Sequence, residues 1–300
     1  LYDISPCSNN FANLSITNLD FVIYSFIHLF IYKIDILYRY LLKMFTNNFD
    51  PVAFQIFSLE IRWYSMAYIV GILLGWIYCK KKLIRNKDLL NLFDDFITYI
   101  IIGIILGGRI GYILLYNLDY YLENFFEIFA IWNGGMSFHG GLIGVIVATL
   151  TFSKKHKVDY LIFLDLVSLA APIGIFFGRI ANFINSELYG RPTDIAWSVK
   201  FQVIDNVNRH PSQLYEAFFE GIILFIILNY LSRKNYIKKP GLISSLFLIF
   251  YSLFRFLIEF FRNPDPQIGY IAFNLTIGQI ISIFFLIAGM ILFFCKKNEK

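Results

Sequence analysis

The chain has 300 residues, of which 58% are hydrophobic and 16% are charged, and its mean hydropathy is +0.62. This composition is typical of an integral membrane protein and excludes an ordinary soluble domain. The formal net charge of +5 is not gathered into a basic stripe, so the sequence offers no surface for nucleic acid. The three cysteines, Cys7, Cys79 and Cys295, are too few and too far apart for a disulfide framework or a metal cluster.

Residues 1–43 precede the first clear apolar segment. Residues 21–42 are apolar enough for a helix, but Lys33, Asp35 and Arg39 interrupt them. The stretch also lacks the basic start and the small-residue cleavage site of a signal peptide. We interpret 1–43 as an N-terminal extension, because termini tolerate such additions and Met44 offers a natural start for a membrane domain over 44–300.

Seven apolar segments follow, and a helix of about 20 such residues crosses a bilayer. They lie at 64–79, 93–116, 139–152, 160–180, 211–231, 242–261 and 275–295. The third is short and begins with glycines, so we expect it to enter the membrane obliquely or to pack against other protein. The pattern predicts an all-α integral membrane protein with seven transmembrane helices and a small external, periplasmic elaboration at 182–210.

Lysine and arginine are unevenly divided between alternate loops. With seven crossings, fifteen of them fall on one side, at 80–87, 154–157, 233–239 and after Cys295, and four fall on the other side. Positive residues accumulate in cytoplasmic loops. We therefore predict that the N-terminus lies outside and that the C-terminus lies in the cytoplasm.

Ionisable side chains are costly inside a membrane and by default indicate function. The apolar segments carry Arg109, His139, Arg179, Glu216, Glu220, Arg255 and Glu259. His139 lies between two glycine pairs in GGMSFHGGLIG, where a backbone or a ligand can approach closely. A lone histidine is more often structural than catalytic, so both interpretations stay open for this residue alone.

Two groups of polar residues recur at helical spacing. Arg179 and Asn182 share a face at the outer end of the fourth segment, although Arg179 alone could simply extend to the interface. Tyr251, Arg255 and Glu259 follow one another every four residues, so Arg255 and Glu259 can pair, and a purely structural ion pair is the alternative. Arginines at headgroup depth indicate phosphate recognition, because a guanidinium binds phosphate through two hydrogen bonds and keeps its charge.

Motifs of other chemistries are missing from the sequence. It contains no H-E-x-x-H, no G-x-S-x-G, no P-loop and no G-x-G-x-x-G after a strand. A light-driven seven-helix pump would need a lysine in its last span, and 275–294 has none. A transporter would more often show repeated halves, and a scaffold would give the intramembrane arginines no reason to lie in lipid. The predicted chemistry is acid–base and electrostatic, acting on a molecule that carries phosphate.

GRIANFINSELYG closely resembles the signature of the bacterial prolipoprotein diacylglyceryl transferases. GGRIGY, GGMSFHGGLIG, RHPSQLYE and FRFLIEFFR resemble that family's other blocks, in the same order. The resemblance extends from about Phe49 to Cys295. Ser186 stands where the family commonly has glycine.

The resemblance implies a reaction. The family transfers the diacylglyceryl group from phosphatidylglycerol to the lipobox cysteine thiol of preprolipoprotein signal peptides and releases glycerol phosphate. This is the first step of lipoprotein maturation, at the outer face of the bacterial cytoplasmic (inner) membrane, and it uses no metal or organic cofactor. By motif position, Arg179 and Arg255 would bind the lipid phosphate, Asn182 and Glu187 would shape the headgroup site, and Gly190 would keep the loop compact.

The resemblance also implies catalytic roles. His139 would be the base, with Tyr64 and Tyr251 as supporting hydroxyls. Glu259 would hold Arg255. Arginine charge could instead stabilise the thiolate directly, in which case His139 would only position groups.

Overall fold

The computed structural model describes residues 45–57, 59–84, 86–130, 134–233, 239–264, 269–271 and 273–298. The predicted extension at 1–43 and its apolar segment lie outside these residues. The described residues divide into two units, one with 45–48 and Pro192–His210, the other with those of 49–191 and 211–298.

The described residues form eight helices that are wholly or largely α-helical, a short π-helical segment at Cys79–Leu83, a 3₁₀ helix at Phe125–Phe129 and five short strands. The helices are α1 (Trp63–Tyr78), α2 (Lys87–Tyr116), α3 (Leu118–Glu123), α4 (Phe138–His156), α5 (Tyr160–Ile184), α6 (Ser212–Arg233), α7 (Leu242–Ile258) and α8 (Ile277–Asn298). The strands are β1 (Phe45–Asn47), β2 (Val52–Ile56), β3 (Leu59–Arg62), β4 (Val199–Phe201) and β5 (Asn208–Arg209).

The smaller unit contains a three-stranded sheet in the order β1-β4-β5. β1 runs parallel to β4, with Thr46 opposite Lys200, and β4 runs antiparallel to β5. In the turn between β4 and β5, the Asp205 carboxylate accepts hydrogen bonds from the backbone N–H of Val207 at 3.0 Å and from Arg209 Nη2 at 2.5 Å. The bond from Arg209 lowers the pKa of Asp205. Part of the predicted external elaboration is therefore β-structure.

The larger unit contains all eight helices. Four stretches are long and apolar enough to cross a membrane, namely Lys87–Leu114, Tyr160–Ile184, Ser212–Arg233 and Ile277–Asn298, and Leu242–Ile258 is apolar but shorter. The chain is thus a multi-pass membrane protein. Each of the seven predicted segments is largely helical, but seven crossings and their orientation stay predictions.

Polar side chains set where several helices begin. Asn86 accepts a hydrogen bond from the backbone N–H of Asp88, Ser137 from that of Gly140, and Asp159 from that of Leu161. Each satisfies an N–H group that the first turn of a helix leaves without a partner. α4 ends at His156, because the next residue, Lys157, has a left-handed φ of 56° that cannot continue the helix.

Glycines bring α2 and α4 into close contact. Gly103, Gly107 and Gly111 of α2 lie four residues apart and face Gly140 and Gly144 of α4. A Cβ on Gly111 would lie 2.6 Å from the Cα of Gly140, and a Cβ on Gly144 would overlap the carbonyl oxygen of Gly103. Small residues at this spacing let two membrane helices approach with their backbones in contact.

A buried aspartate joins α5 to the start of α7. The Asp165 carboxylate accepts hydrogen bonds from the backbone N–H groups of Gly241 and Ser244, each at 2.8 Å, and from the Ser244 hydroxyl at 2.6 Å. Its side chain is buried within the protein, so these donors replace the water it would otherwise bind. These hydrogen bonds therefore fix the start of α7 relative to α5.

Candidate active site

Arg179 on α5 faces two carboxylates on α6. Its Nη1 lies 3.0 Å from Glu216 Oε2, and its Nη2 lies 3.1 Å from Glu220 Oε2. Both glutamate side chains are fully buried, and the Arg179 side chain is 16% exposed. Arg179 is therefore held inside the protein by two carboxylates. Its side chain does not extend to the membrane–water interface, which was the alternative that the sequence left open.

α7 contributes the second guanidinium. Arg255 contacts Glu216 Oε1 through Nη1, and its Nη2 lies 2.7 Å from Glu259 Oε2, the pair that the four-residue spacing predicts. Arg262, just beyond α7, places Nη1 3.4 Å from Glu216 Oε1. The carboxylate of Glu216 is therefore shared by three guanidinium groups.

We call these six residues the arginine–glutamate cluster: Arg179, Arg255, Arg262, Glu216, Glu220 and Glu259. With every member ionised, their charges sum to zero. Burying unpaired charge is expensive, so the mutual pairing is what permits the cluster inside the membrane domain.

Glu259 is fixed from α8 as well as from Arg255. The Thr276 hydroxyl donates to Glu259 Oε1 at 3.0 Å. A Cβ added to Gly278 would lie 2.8 Å from the carboxylate carbon of Glu259, so a larger residue would have to displace this carboxylate from Arg255 and Thr276. The start of α8 is therefore shaped around this carboxylate.

An irregular stretch of α6 brings Glu220 toward α5. Residues Ala217–Ile223 are π-helical within an otherwise α-helical element. Gly221 in this stretch is so near α5 that a Cβ would lie 2.8 Å from the Cβ of Phe176. Such π-helical insertions often occur at functional sites, and here the insertion places a carboxylate against Arg179.

The loop after α5 is folded around Glu187. Asn182 Nδ2 donates to Glu187 Oε2 at 3.2 Å, and Asn185 Nδ2 donates to Oε1 at 3.3 Å. From α6, Gln213 Nε2 donates to the backbone carbonyl of Glu187 at 2.6 Å. Ser186 has a φ of 57°, a left-handed conformation that glycine adopts at lower cost.

The end of the loop pairs with the segment after α7. Gly190 forms an antiparallel bridge with Arg262, and the backbone N–H of Arg191 donates to the carbonyl of Phe261 at 2.9 Å. Gly190 is buried in this bridge. The loop and the arginine–glutamate cluster are thereby connected through one backbone pairing.

The two tyrosines expected from the resemblance both lie near the cluster. Tyr251 is partly buried and lies within electrostatic range of Arg179, Arg255 and the α6 carboxylates. Tyr64 on α1 has its hydroxyl 3.5 Å from that of Tyr68 and within electrostatic range of Arg179 and Glu187. His139 is the second residue of α4; its side chain lies outside the part of the chain that the structure describes, and its role as a base stays a prediction.

Arg109 donates hydrogen bonds to backbone carbonyls and is not part of the arginine–glutamate cluster. Its guanidinium donates to Ile128 O at 2.9 Å, Glu127 O and Gly134 O at 2.5 Å each, Ala130 O at 3.2 Å and Gly135 O at 3.3 Å. The side chain is buried. Arg109 therefore organises the chain between α3 and α4, and the indication of phosphate recognition does not extend to it.

Sequence reasoning missed part of the cluster. From the sequence, Glu216 and Glu220 are ionisable residues in an apolar segment with no predicted partner, and Arg262 is one of the four positive residues in the loops predicted to lie outside. The available signal was the seven-residue interval from Arg255 to Arg262 in FRFLIEFFR, which puts both near one helix face. Pairing between α5, α6 and α7 is a long-range property that this spacing alone does not give.

Comparison with known proteins gives consistent matches. The family profile described as "Prolipoprotein diacylglyceryl transferase" matches residues 51–295. A protein from Rickettsia bellii (strain OSU 85-389) is 54% identical in a 263-residue alignment, and the match covers 84% of this chain and 98% of the relative. Relatives from Rickettsia akari (strain Hartford) and Rickettsia typhi (strain ATCC VR-144 / Wilmington) are 52% and 51% identical, over 84% and 86% of this chain and 98% and 100% of their own lengths. All three carry the name phosphatidylglycerol--prolipoprotein diacylglyceryl transferase.

Proposed function

The chain belongs to the prolipoprotein diacylglyceryl transferase family, and on that premise we propose that it transfers the diacylglyceryl group of phosphatidylglycerol to the lipobox cysteine of preprolipoproteins. The observation that carries this is the 54% identity to a relative of that name over 98% of the relative's length. The protein is a membrane transferase of lipoprotein biosynthesis. Its substrates are a membrane lipid and a signal peptide.

The reaction makes a thioether. The cysteine sulfur, as thiolate, attacks the glycerol carbon that bears the phosphate ester, so a carbon–sulfur bond forms as the carbon–oxygen bond breaks. Glycerol phosphate departs with the electron pair, and the thiol proton goes to a base. Negative charge therefore passes from the sulfur to the phosphate, and fixed positive charge near the phosphate lowers the barrier.

Arg179 and Arg255 bind the phosphate in this proposal. They come from different helices and meet at Glu216, which holds both guanidinium groups in one buried site. Arginine suits the task because its planar fork matches two phosphate oxygens and stays charged in a low-dielectric environment. Glu259 holds Arg255 in position, as the 2.7 Å contact supports.

The loop after α5 forms the headgroup site. Asn182 and Glu187 are hydrogen-bonded to each other and present amide and carboxylate groups that can bind the glycerol hydroxyls. Gly190 keeps the loop compact through its bridge to Arg262. Tyr64 and Tyr251 supply hydroxyls near the arginines.

We assign His139 as the base that takes the thiol proton, because a neutral imidazole accepts protons near pH 7. A His139→Gln variant should lose most of its turnover and should show a pH profile that rises toward the ordinary thiol pKa of about 8.5. The measurement is kcat against pH with a lipobox peptide. Wild-type rate and wild-type profile in the variant would remove the base role and leave thiolate stabilisation to the arginines.

In this proposal the enzyme lies in the bacterial cytoplasmic (inner) membrane. It crosses the membrane seven times, with the N-terminus outside and the C-terminus in the cytoplasm. The excess of lysine and arginine in alternate loops supports this orientation. It puts the outer end of α5, with Arg179 and Asn182, toward the outer leaflet.

The direct test uses purified protein in detergent with phosphatidylglycerol and a synthetic lipobox peptide, read by mass spectrometry. We expect a diacylglyceryl mass increase that requires the peptide cysteine. Arg179→Lys and Arg255→Lys keep the charge but lose the fork, and each should reduce kcat/KM by at least about tenfold. Arg62→Lys, at an exposed arginine of β3, is the matched control.

Lysine is preferred to alanine in this experiment. Removing one member of a buried ion pair costs about 3 to 5 kcal/mol, so an alanine variant loses stability together with function. Thermal unfolding of each variant separates the two effects. A folded wild-type protein that never modifies an acceptable peptide would refute the transferase assignment, and near-normal turnover in both lysine variants would refute the phosphate site.

A further inference from the structure

The arginine–glutamate cluster has no excess positive charge when all six side chains are ionised. Arg179, Arg255 and Arg262 are matched by Glu216, Glu220 and Glu259, and no side chain of the six is more than 16% exposed. A lipid phosphate that binds Arg179 or Arg255 adds a negative charge to a neutral, buried site. Such a charge must be compensated, because water cannot screen it there.

The three glutamates differ in the number of partners that contact their carboxylates. Glu216 faces three guanidinium groups. Glu259 faces Arg255 and accepts a hydrogen bond from Thr276. Glu220 contacts Arg179 alone, and its Oε1 is buried without a hydrogen-bond partner among the described residues.

We infer that phosphatidylglycerol binding is coupled to the uptake of one proton by Glu220, which releases Arg179 Nη2 for the lipid phosphate. This inference rests on the proposed function and deepens it. The step is Glu220–COO⁻ plus H⁺ from water giving Glu220–COOH, and no other bond changes. Glu220 is a positioning residue, since it acts on the substrate only through Arg179.

The surroundings of Glu220 favour this residue as the acceptor of the proton. Arg179 faces it from α5, Arg255 and Tyr251 face it from α7, and Glu216 lies one turn earlier on α6. When the phosphate binds the arginines, their attraction for the ionised form of Glu220 is shared with a new anion. The repulsion from Glu216 and from the phosphate remains, so the neutral acid becomes the favoured form.

Coupling of this kind has a defined signature. Lipid affinity falls as pH rises wherever a proton is taken up, by up to tenfold per pH unit for one proton. A substitution of Glu220 by glutamine supplies the neutral form permanently, with almost the same shape. The glutamine variant should therefore bind lipid with an affinity that is nearly independent of pH.

The experiment is calorimetric titration of the full-length protein in detergent with dioctanoyl phosphatidylglycerol between pH 6 and 9. Each titration is made in HEPES and in Tris, whose different ionisation heats report the protons exchanged. We expect uptake approaching one proton per lipid within this range for the wild type and for Glu60→Gln, a control at an exposed carboxylate of β3. We expect none for Glu220→Gln. Dioctanoylglycerol, which lacks the phosphate, should cause no uptake.

Two results would overturn the inference while leaving the transferase assignment intact. One is lipid binding by the wild type with no proton uptake at any pH, which needs no variant to fold. The other is equal uptake in a folded Glu220→Gln protein. Absence of lipid binding by a folded wild type would refute the proposed function, and this inference with it.

Discussion

Arg109 shows that a buried arginine in this protein can have a structural role, since its guanidinium lies over the Tyr121 ring and donates its described hydrogen bonds to backbone carbonyls. Its five hydrogen bonds all go to carbonyl oxygens between Glu127 and Gly135. A charged donor to a neutral acceptor contributes about 1.5 to 3 kcal/mol, and carbonyls left unpaired add to the loss. The same residue type thus has a structural role on α2 and a proposed substrate role on α5 and α7.

Arg109→Ala should therefore lower stability without altering lipid recognition. We expect a loss on the order of 3 to 5 kcal/mol, seen as a lower unfolding temperature in detergent. The KM for phosphatidylglycerol of the protein that remains folded should stay within about twofold of wild type. Arg62→Ala, at an exposed position, should change neither quantity. An unchanged unfolding temperature with a raised KM would instead make Arg109 a phosphate ligand.

At the scale of elements, the contact between α2 and α4 depends on specific glycines. Gly144 has no room for a Cβ against the carbonyl of Gly103, whereas a Cβ on Gly141 would meet only Ile104 O at 3.9 Å. The two glycines lie three residues apart in the same motif, so they form a matched pair. They differ in how closely they approach α2, and neither has a positive φ that would require glycine.

Gly144→Ala should separate α2 from α4, while Gly141→Ala should be tolerated. We expect the first variant to lose about 2 kcal/mol or more, as overpacking does in well-packed cores, and the second to change little. Thermal unfolding and the yield of folded protein from membranes measure both. Equal tolerance of the two substitutions would mean that the helices can move apart at low cost.

The elements also show which features could be predicted from sequence. Hydropathy located the seven helical segments, since burial in lipid or protein imposes long apolar runs. Helix spacing identified the Arg255 and Glu259 pair because its partners lie on one helix. The pairing of Arg179 with Glu216 and Glu220 required the positions of α5 and α6, which no local pattern contains. The sheet formed by β1, β4 and β5 joins residues more than 150 positions apart and was missed for the same reason.

Asp165 was missed for a different reason. It is a single acid within an apolar segment, and the ionisable residues named from the sequence did not include it. Its carboxylate satisfies the first N–H groups of α7, so it is a capping residue supplied by another helix. The rule that an intramembrane charge marks function would give Asp165 a functional role, whereas its hydrogen bonds indicate a structural one, as those of Arg109 do.

At the scale of the whole molecule, the seven-crossing orientation can be tested directly. In a protein whose own cysteines are replaced by serine, Glu123→Cys lies in a loop predicted to be outside, and Lys155→Cys lies in one predicted to be cytoplasmic. Both side chains are exposed. A membrane-impermeant maleimide should label the first in intact spheroplasts and the second only after permeabilisation. Labelling of Lys155→Cys in intact spheroplasts would contradict the orientation.

The hydrogen bonds of Asp165 also bear on how the protein is made. The aspartate precedes Gly241 by 76 residues, so during synthesis α5 is complete well before its hydrogen-bond donors exist. Arg179 is likewise synthesised before its partner carboxylates on α6. An aspartate and an arginine in a newly made helix favour its staying near water or the insertion machinery until later helices arrive. We therefore expect membrane insertion to need contacts between helices made at different times, and we expect a chain that ends before α7 to be a substrate for quality-control proteolysis.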